Sequence, residues 1–248
     1  MTLKSLAVLA LKIPILADLI DLFRPANLRP TLILLVSVVV MVAWKTLGSQ
    51  DFYLDHLTEL LPLGDPSASA AYYQMAMTLV LLGVLPACLM RLVFGQSLAS
   101  LGLGRGSITA GLVLLTLTLP FILWVSLANA DDAVFRAMYP LNRGAGHSAS
   151  TFVMHPASLG LFYLGWEFHF RGFLQRGLGA SIGPSAAICL QVLASSLLHL
   201  DRPGAELWAS IPAALLWGLQ AKYTGAIWTG VVQHWLLGAT LDYFICFG

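Results

Sequence analysis

The stretch GWEFHFRGFLQRGL, residues 165–178, places Glu167, His169 and Arg171 within five positions of one another. Apolar sequence flanks it on both sides, with SLGLFYL before it and SAAICLQVLA shortly after it. Ionisable side chains are rare in such surroundings because removing them from water is costly. The stretch therefore indicates a membrane setting and, within it, a candidate functional site.

The composition of the whole chain supports the membrane setting. Of its 248 residues, 58% are hydrophobic and 10% are charged, and the mean hydropathy is +0.81. Soluble domains carry about 25% charged residues, so this chain lacks the polar groups that a water-facing surface needs. The formal net charge of +1 and the absence of any Lys/Arg block give no basis for a nucleic-acid partner.

Apolar runs of the length that a bilayer requires recur along the chain. A membrane-spanning helix needs about 20 mostly apolar residues, and this spacing predicts an all-α bundle with about seven or eight transmembrane helices. The predicted spans are 31–48, 73–95, 108–129, 151–178, 182–200, 206–222 and 224–247. We treat 1–248 as one integral membrane domain, with 1–29 as an interfacial or partly inserted segment and 151–248 as the motif-bearing helices.

The three cysteines give no sign of a metal or disulfide framework. Cys88, Cys189 and Cys246 lie in apolar runs and have no CxxC spacing. We expect them to behave as small buried apolar side chains.

Three places put ionisable groups inside predicted spans. Glu167 and Arg171 are four residues apart, so they share a helix face as a candidate ion pair. His199 ends the run LQVLASSLLHL, and His234 lies in GVVQHWLL with Asp242 two turns later. A carboxylate and an imidazole could activate water, and a second imidazole could hold an oxyanion. If the three helices converge, this set is therefore hydrolytic.

Each of these residues also has a structural interpretation. The Glu167–Arg171 pair would serve equally well as a buried ion pair that only stabilises the bundle. His199 is followed by charged residues, so a solvated position at the membrane interface explains it. His234 precedes a tryptophan and could bond a backbone carbonyl in an aromatic belt. We assign no role to His155 at the start of a predicted span.

The motifs resemble those of the CAAX prenyl-protease and bacteriocin-processing family of intramembrane endopeptidases, also called CPBP or Abi. The family's motifs are EExxxR, FxxxH and HxxxN or HxxxD. Glu167 and Arg171 match the end of the first motif in WEFHFRGFL, and His199 and His234 match the histidines of the other two. Ser195 stands where the second motif has its aromatic residue. The resemblance covers residues from about 161 to the C-terminus.

Two further departures from the family pattern concern its chemistry. Trp166 stands where the family has its first, water-activating glutamate, and Gly238 stands where it has Asn or Asp. Glu167 could take over the role of base, although adjacent helix positions differ by about 100° in direction. The bundle would then have to be rotated, or this helix locally distorted. Asp242 and Glu206 are spare carboxylates that could supply a missing polar group.

The resemblance implies an intramembrane endopeptidase. In this hypothesis Glu167 and His199 activate water, His234 stabilises the oxyanion and Arg171 orients Glu167, with Asp242 and Glu206 in support. The implied substrate is a membrane-anchored or exported protein or peptide in the lipid bilayer. The implied location is a bacterial cytoplasmic membrane.

Three alternatives stay open. The mechanism as drawn uses no cofactor, but His199, His234 and Glu167 could instead bind zinc as a two-His, one-carboxylate site, which would make the protein a metal-dependent membrane protease. A catalytically inactive member acting as an immunity or scaffold protein would explain Trp166 and Gly238. A transporter is disfavoured by the single charged cluster and the lack of an internal repeat.

Overall fold

The computed structural model describes residues 14–61 and 64–248, and within them it contains helices and connecting turns without a β-strand. The all-α class predicted from the sequence is confirmed. Part of the predicted N-terminal segment, residues 1–13, lies outside the described residues.

Ten main helical segments can be numbered along this described part. They are α1 (Pro14–Leu22), α2 (Pro25–Thr46), α3 (Gln50–His56), α4 (Pro66–Val93), α5 (Ile108–Asn129), α6 (Ala133–Met138), α7 (residues 149–182), α8 (Pro184–Leu197), α9 (Gly204–Thr224) and α10 (Trp228–Phe247). Proline occupies the first turn of α2, α4 and α8, where its missing N–H removes no intrahelical bond. Ser148 caps α7 and bonds the Thr151 amide.

The peripheral helices face lipid. Pro25–Thr46, Pro66–Val93 and Ala99–Asn129 are long and apolar enough to cross a membrane. The last of these is broken by Gly102, whose φ of 96° is left-handed, so that α5 proper begins at Ile108. Only 6% of its most apolar window is buried in the protein, so most of this helix is left for lipid. The chain is an integral membrane protein, and the full number of spans stays a prediction.

The central helix α7 changes its winding beside the site. It is α-helical over Ala149–Glu167, π-helical over Phe168–Arg176 and α-helical again over Gly177–Ile182. Gly165 packs against α4 so closely that a Cβ there would lie 2.7 Å from the Thr78 carbonyl oxygen. A local distortion of this helix, one of the two alternatives that the WExxxR motif left open, is present immediately after Glu167, and π-helical turns often accompany functional sites.

The cysteines are free, as expected. Their predicted burial is wrong for Cys88 and Cys189, which are exposed, while Cys246 is half-buried. The reason is that an apolar run on a membrane helix can face lipid as readily as the protein interior.

Candidate active site

Glu167 is sealed inside the bundle where α7 meets α10. Its side chain has no exposed surface. Oε1 accepts a 2.9 Å hydrogen bond from His234 Nδ1 and lies 3.2 Å from Arg171 Nη1. Oε2 points at Gly230, where a Cβ would lie only 2.8 Å away. Arg171 is 1% exposed, so this ion pair is excluded from solvent. Each buried charge is stabilised by the opposite charge of its partner.

His234 is fixed on both faces as well as at one nitrogen. Its ring lies 4.2 Å from the Tyr163 ring and 4.2 Å from the Trp217 ring, between centroids. Glu167 accepts the hydrogen of Nδ1, so Nε2 is the nitrogen left for other partners. The two aromatic rings and the Glu167 carboxylate together set the direction in which Nε2 points.

His199 lies in the turn after α8, and a backbone carbonyl sets its tautomer. Its Nδ1 is 2.8 Å from the Ser195 carbonyl oxygen, which can only accept, so Nδ1 carries the hydrogen. Nε2 is then an unprotonated acceptor, the form that a general base requires. The edge of Trp166 packs against this ring at 5.4 Å.

Glu206, in the first turn of α9, faces His199. Its Oε1 lies 4.0 Å from His199 Nε2, too far for a direct hydrogen bond. The Tyr139 hydroxyl donates to both carboxylate oxygens, at 2.9 and 2.8 Å. Acidic groups are also favoured near a helix N-terminus by its dipole, so the Tyr139 hydroxyl and the helix end both favour the carboxylate form of Glu206.

The loop residues around Glu206 reinforce that state. Burial raises the pKa of the Tyr139 hydroxyl well above its usual range, so this tyrosine stays a donor. Burial lowers the pKa of the Arg202 guanidinium, but attraction to nearby groups that include Glu206 and Asp201 outweighs burial, and the net direction is upward. A neutral hydroxyl donor and a positive charge therefore lie beside the carboxylate.

One cavity of about 310 Å³ and an adjoining space of about 40 Å³ connect these groups. Both are lined by Tyr139, Tyr163, Trp166, His199, Glu206, His234 and Gly238. The larger cavity also reaches Ser126 and Asn129 of α5 and the alanines of α9. The two histidines and Glu206 therefore share one cavity, while the Glu167 carboxylate is packed against Arg171, His234 and Gly230.

Asp242 has a partner that sequence reasoning missed. Its Oδ2 lies 2.8 Å from Nε2 of His155, and both side chains are buried. His155 was given no role, although it was an ionisable residue inside a predicted span and the same rule that selected His199 would have found it. Asp242 lines the smaller space, but its carboxylate is engaged by His155.

Tyr139 and Tyr163 were also missed, and no local sequence signal points to either. Tyr139 reaches Glu206 across 67 residues of chain. Tyr163 lies one helical turn before Glu167 and within an apolar run, where a tyrosine by itself does not indicate a functional site.

The geometry also bears on the zinc alternative. Across residues 14–61 and 64–248, no three His, Cys, Asp or Glu side chains are grouped so that they could hold a metal ion. Glu167 and Glu206 lie with different histidines, so the proposed two-His, one-carboxylate set is not assembled in this conformation.

The comparison with protein families agrees with the motifs. The family model described as type II CAAX prenyl endopeptidase, Rce1-like, matches residues 147–240. This confirms the resemblance to the CPBP family, and the matched segment contains all of the site residues predicted from the sequence except Asp242. Members of the matched family are peptidases that act on proteins or peptides in membranes. No curated protein and no solved structure matches the chain.

Proposed function

We propose, from the match of residues 147–240 to the CAAX prenyl endopeptidase family model and from the shared cavity, that the chain is an intramembrane endopeptidase. The observation that carries the proposal is the 4.0 Å separation of His199 Nε2 and Glu206 Oε1 on the wall of the shared cavity. His234 reaches the same cavity. A water-activating pair and an oxyanion-binding group are thus available to one substrate carbonyl.

The gap between His199 and Glu206 fits one water molecule. A water about 2.8 Å from each atom spans 4.0 Å at an angle of about 90°, close to the angle between its own two O–H bonds. Both neighbours are acceptors, so the water directs its hydrogens at them. Its lone pairs are left for attack on a carbonyl carbon.

His234 takes the developing negative charge. Glu167 stabilises its imidazolium form by accepting from Nδ1, which leaves the Nε2 hydrogen to donate to the oxyanion. With this imidazolium, the charges of Glu167, Arg171, His234 and Glu206 sum to zero. A neutral total suits a site that lies within the bundle.

The reaction balances with water as the only co-reactant. The water oxygen bonds to the carbonyl carbon while one of its protons passes to the Glu206 carboxylate. The intermediate collapses as the C–N bond breaks, and the Glu206 carboxyl returns the proton to the leaving nitrogen. The products are a carboxylic acid and an amine.

This proposal moves the role of base from Glu167 to Glu206. The sequence-based hypothesis gave Glu167 that role because it was the carboxylate left in the motif. Its carboxylate is fully buried between Arg171, His234 and Gly230 and does not line the cavity. We assign Glu167 and Arg171 to positioning His234, while His199 and His234 keep the roles expected of them.

The proposed substrate is a membrane-anchored or exported protein that enters the cavity beside α9. Ala205 and Ala209 on this helix are exposed and line the cavity, with Ala213 one turn further in. Small side chains there leave space for an extended peptide backbone. In keeping with the resemblance to bacteriocin-processing enzymes, we place the protein in a bacterial cytoplasmic membrane.

The test uses the full-length protein in proteoliposomes with a library of randomised peptides, each fused to one transmembrane anchor. Cleavage products are identified by mass spectrometry for wild type, His199→Ala and His234→Ala, each inserted at the same level. We expect cleavage by wild type alone, and expect it to persist with a chelator. Equal products from all three proteins would leave the inactive scaffold reading, and loss of cleavage with chelator would favour a metalloprotease.

Filling the cavity should block the same reaction. Ala209→Leu places a larger side chain on the cavity wall, and we expect at least about a 10-fold lower rate because the peptide backbone loses its space. The control is Ala157→Leu, on an exposed position of α7, which should leave the rate unchanged. Equal rates for both variants would contradict entry along α9.

A further inference from the structure

Gly238 leaves room for a hydroxyl group. It lies one turn after His234 on α10, and a Cβ at this position would come within 2.5 Å of the Tyr163 hydroxyl oxygen. The same Cβ would lie 3.1 Å from two carbons of the Tyr163 ring. The glycine therefore lets the tyrosine occupy the space that a side chain at position 238 would take.

The Tyr163 hydroxyl is placed beside the proposed chemistry. Its ring stacks on His234 at 4.2 Å, and the residue lines both parts of the cavity with His199 and Glu206. Within the described part of the chain this hydroxyl makes no hydrogen bond, unlike the Tyr139 hydroxyl, which is bound to Glu206. A phenol group that lines a cavity without a partner has a hydrogen to donate.

We infer that Tyr163 is a second oxyanion donor, acting beside His234 in the space that Gly238 leaves open. This inference rests on the proposed peptidase function and adds a catalytic residue to it. An oxyanion is best stabilised by two fixed donors, because each is oriented before charge develops and none must reorganise. His234 supplies one N–H, and the contact between the two rings fixes the position of the Tyr163 hydroxyl oxygen, whose hydrogen can turn toward the oxyanion.

This arrangement also explains the departure at position 238. The family pattern places an Asn or Asp side chain four residues after the last histidine, on the same helix face. Here the polar group arrives from α7 instead, and the glycine is required for its approach. Asp242 is the other polar group nearby, and its carboxylate is bound to His155.

The experiment compares Tyr163→Phe with wild type on the anchored peptide that wild type cleaves fastest. The ring and its stacking on His234 stay, so we expect an unchanged unfolding midpoint and KM, and a kcat lower by about 10²–10³-fold. The matched control is Tyr243→Phe, a half-exposed tyrosine further along α10, which should behave as wild type.

A second variant tests the chemistry rather than the packing. Gly238→Asn alone should be slow, because its side chain collides with the Tyr163 hydroxyl. In the double variant Tyr163→Phe with Gly238→Asn, the asparagine amide can donate in place of the phenol, and we expect about 10-fold of the lost rate to return. A folded double variant that is no faster than Tyr163→Phe would count against a donor at this place.

The outcomes separate this inference from the function beneath it. If wild type cleaves no peptide in the library, the peptidase proposal falls and the role of Tyr163 falls with it. If wild type cleaves and Tyr163→Phe cleaves equally fast, only the second donor is wrong. A loss seen in KM or in the unfolding midpoint, with kcat unchanged, would likewise reduce Tyr163 to packing.

Discussion

Two carboxylates lie at this site, each beside a histidine, yet their surroundings differ. Glu167 has no exposed surface and contacts Arg171 and His234 directly. Glu206 is 24% exposed, lines the cavity and stands 4.0 Å from His199. Glu167 and His234 are joined by a direct hydrogen bond. Glu206 and His199 are separated by a gap that one water molecule could bridge.

The difference shows that the type of residue does not decide its role. Both pairs combine the groups that hydrolysis uses, but a base must reach a water and a positioning group must not move. In the sealed pair, Glu167 holds the His234 imidazole in place. In the open pair, Glu206 and His199 leave space for a water molecule. The predictions below separate the two pairs by stability and by rate.

The largest effect is expected from breaking the sealed pair. Glu167→Ala leaves the Arg171 charge buried without a partner, which should lower the free energy of unfolding by about 3–5 kcal/mol. Denaturant titration in detergent micelles measures it. The matched control is Glu59→Ala, an exposed glutamate, which should change stability by less than about 0.5 kcal/mol. Equal stabilities for the two variants would contradict a structural ion pair.

A smaller effect on rate is expected from loosening the open pair. Tyr139→Phe removes the hydroxyl hydrogen that the two oxygens of the Glu206 carboxylate share. We expect kcat to fall by about 10- to 100-fold with little change in KM, because the base loses its orientation. Steady-state cleavage of one anchored peptide measures both constants. A change confined to KM would show that Tyr139 acts on substrate binding instead.

The smallest effect is expected from crowding the sealed pair. Gly230→Ala places a methyl group 2.8 Å from the Glu167 Oε2, and overpacking of this kind costs about 1–3 kcal/mol. Gly179→Ala is the control, because no atom lies within 4 Å of its added methyl and a helix gains about 0.5–1 kcal/mol from alanine. Unfolding midpoints that shift in opposite directions would support the sealed geometry, and parallel shifts would contradict it.

The sequence predicted the fold class, and it selected the histidines of the candidate site, for physical reasons. Composition alone requires a lipid-facing bundle, and ionisable residues in apolar runs mark its interior, which selected Glu167, Arg171, His199 and His234. The different roles proposed for Glu167 and Glu206 could not be predicted from the sequence, because they depend on which carboxylate lines the cavity. That is decided by the packing of α7 against α9 and α10.

Side-chain hydrogen bonds between residues far apart in the sequence could not be predicted either. His155 bonds Asp242 across 87 residues and Tyr139 bonds Glu206 across 67. Spacing along a helix identifies neighbours only three or four residues apart. The approach of Tyr163 to Gly238 is of the same kind, since the sequence shows only that a polar residue is missing at position 238.

The most direct test of the account is the turnover of Glu206→Gln. The amide keeps the size of the side chain and still accepts from Tyr139, so the unfolding midpoint should match wild type. Without a carboxylate to take the water's proton, we predict that kcat falls by about 10²–10⁴-fold. A folded Glu206→Gln protein that cleaves the anchored peptide at the wild-type rate would contradict the account, and the water would have to be activated elsewhere.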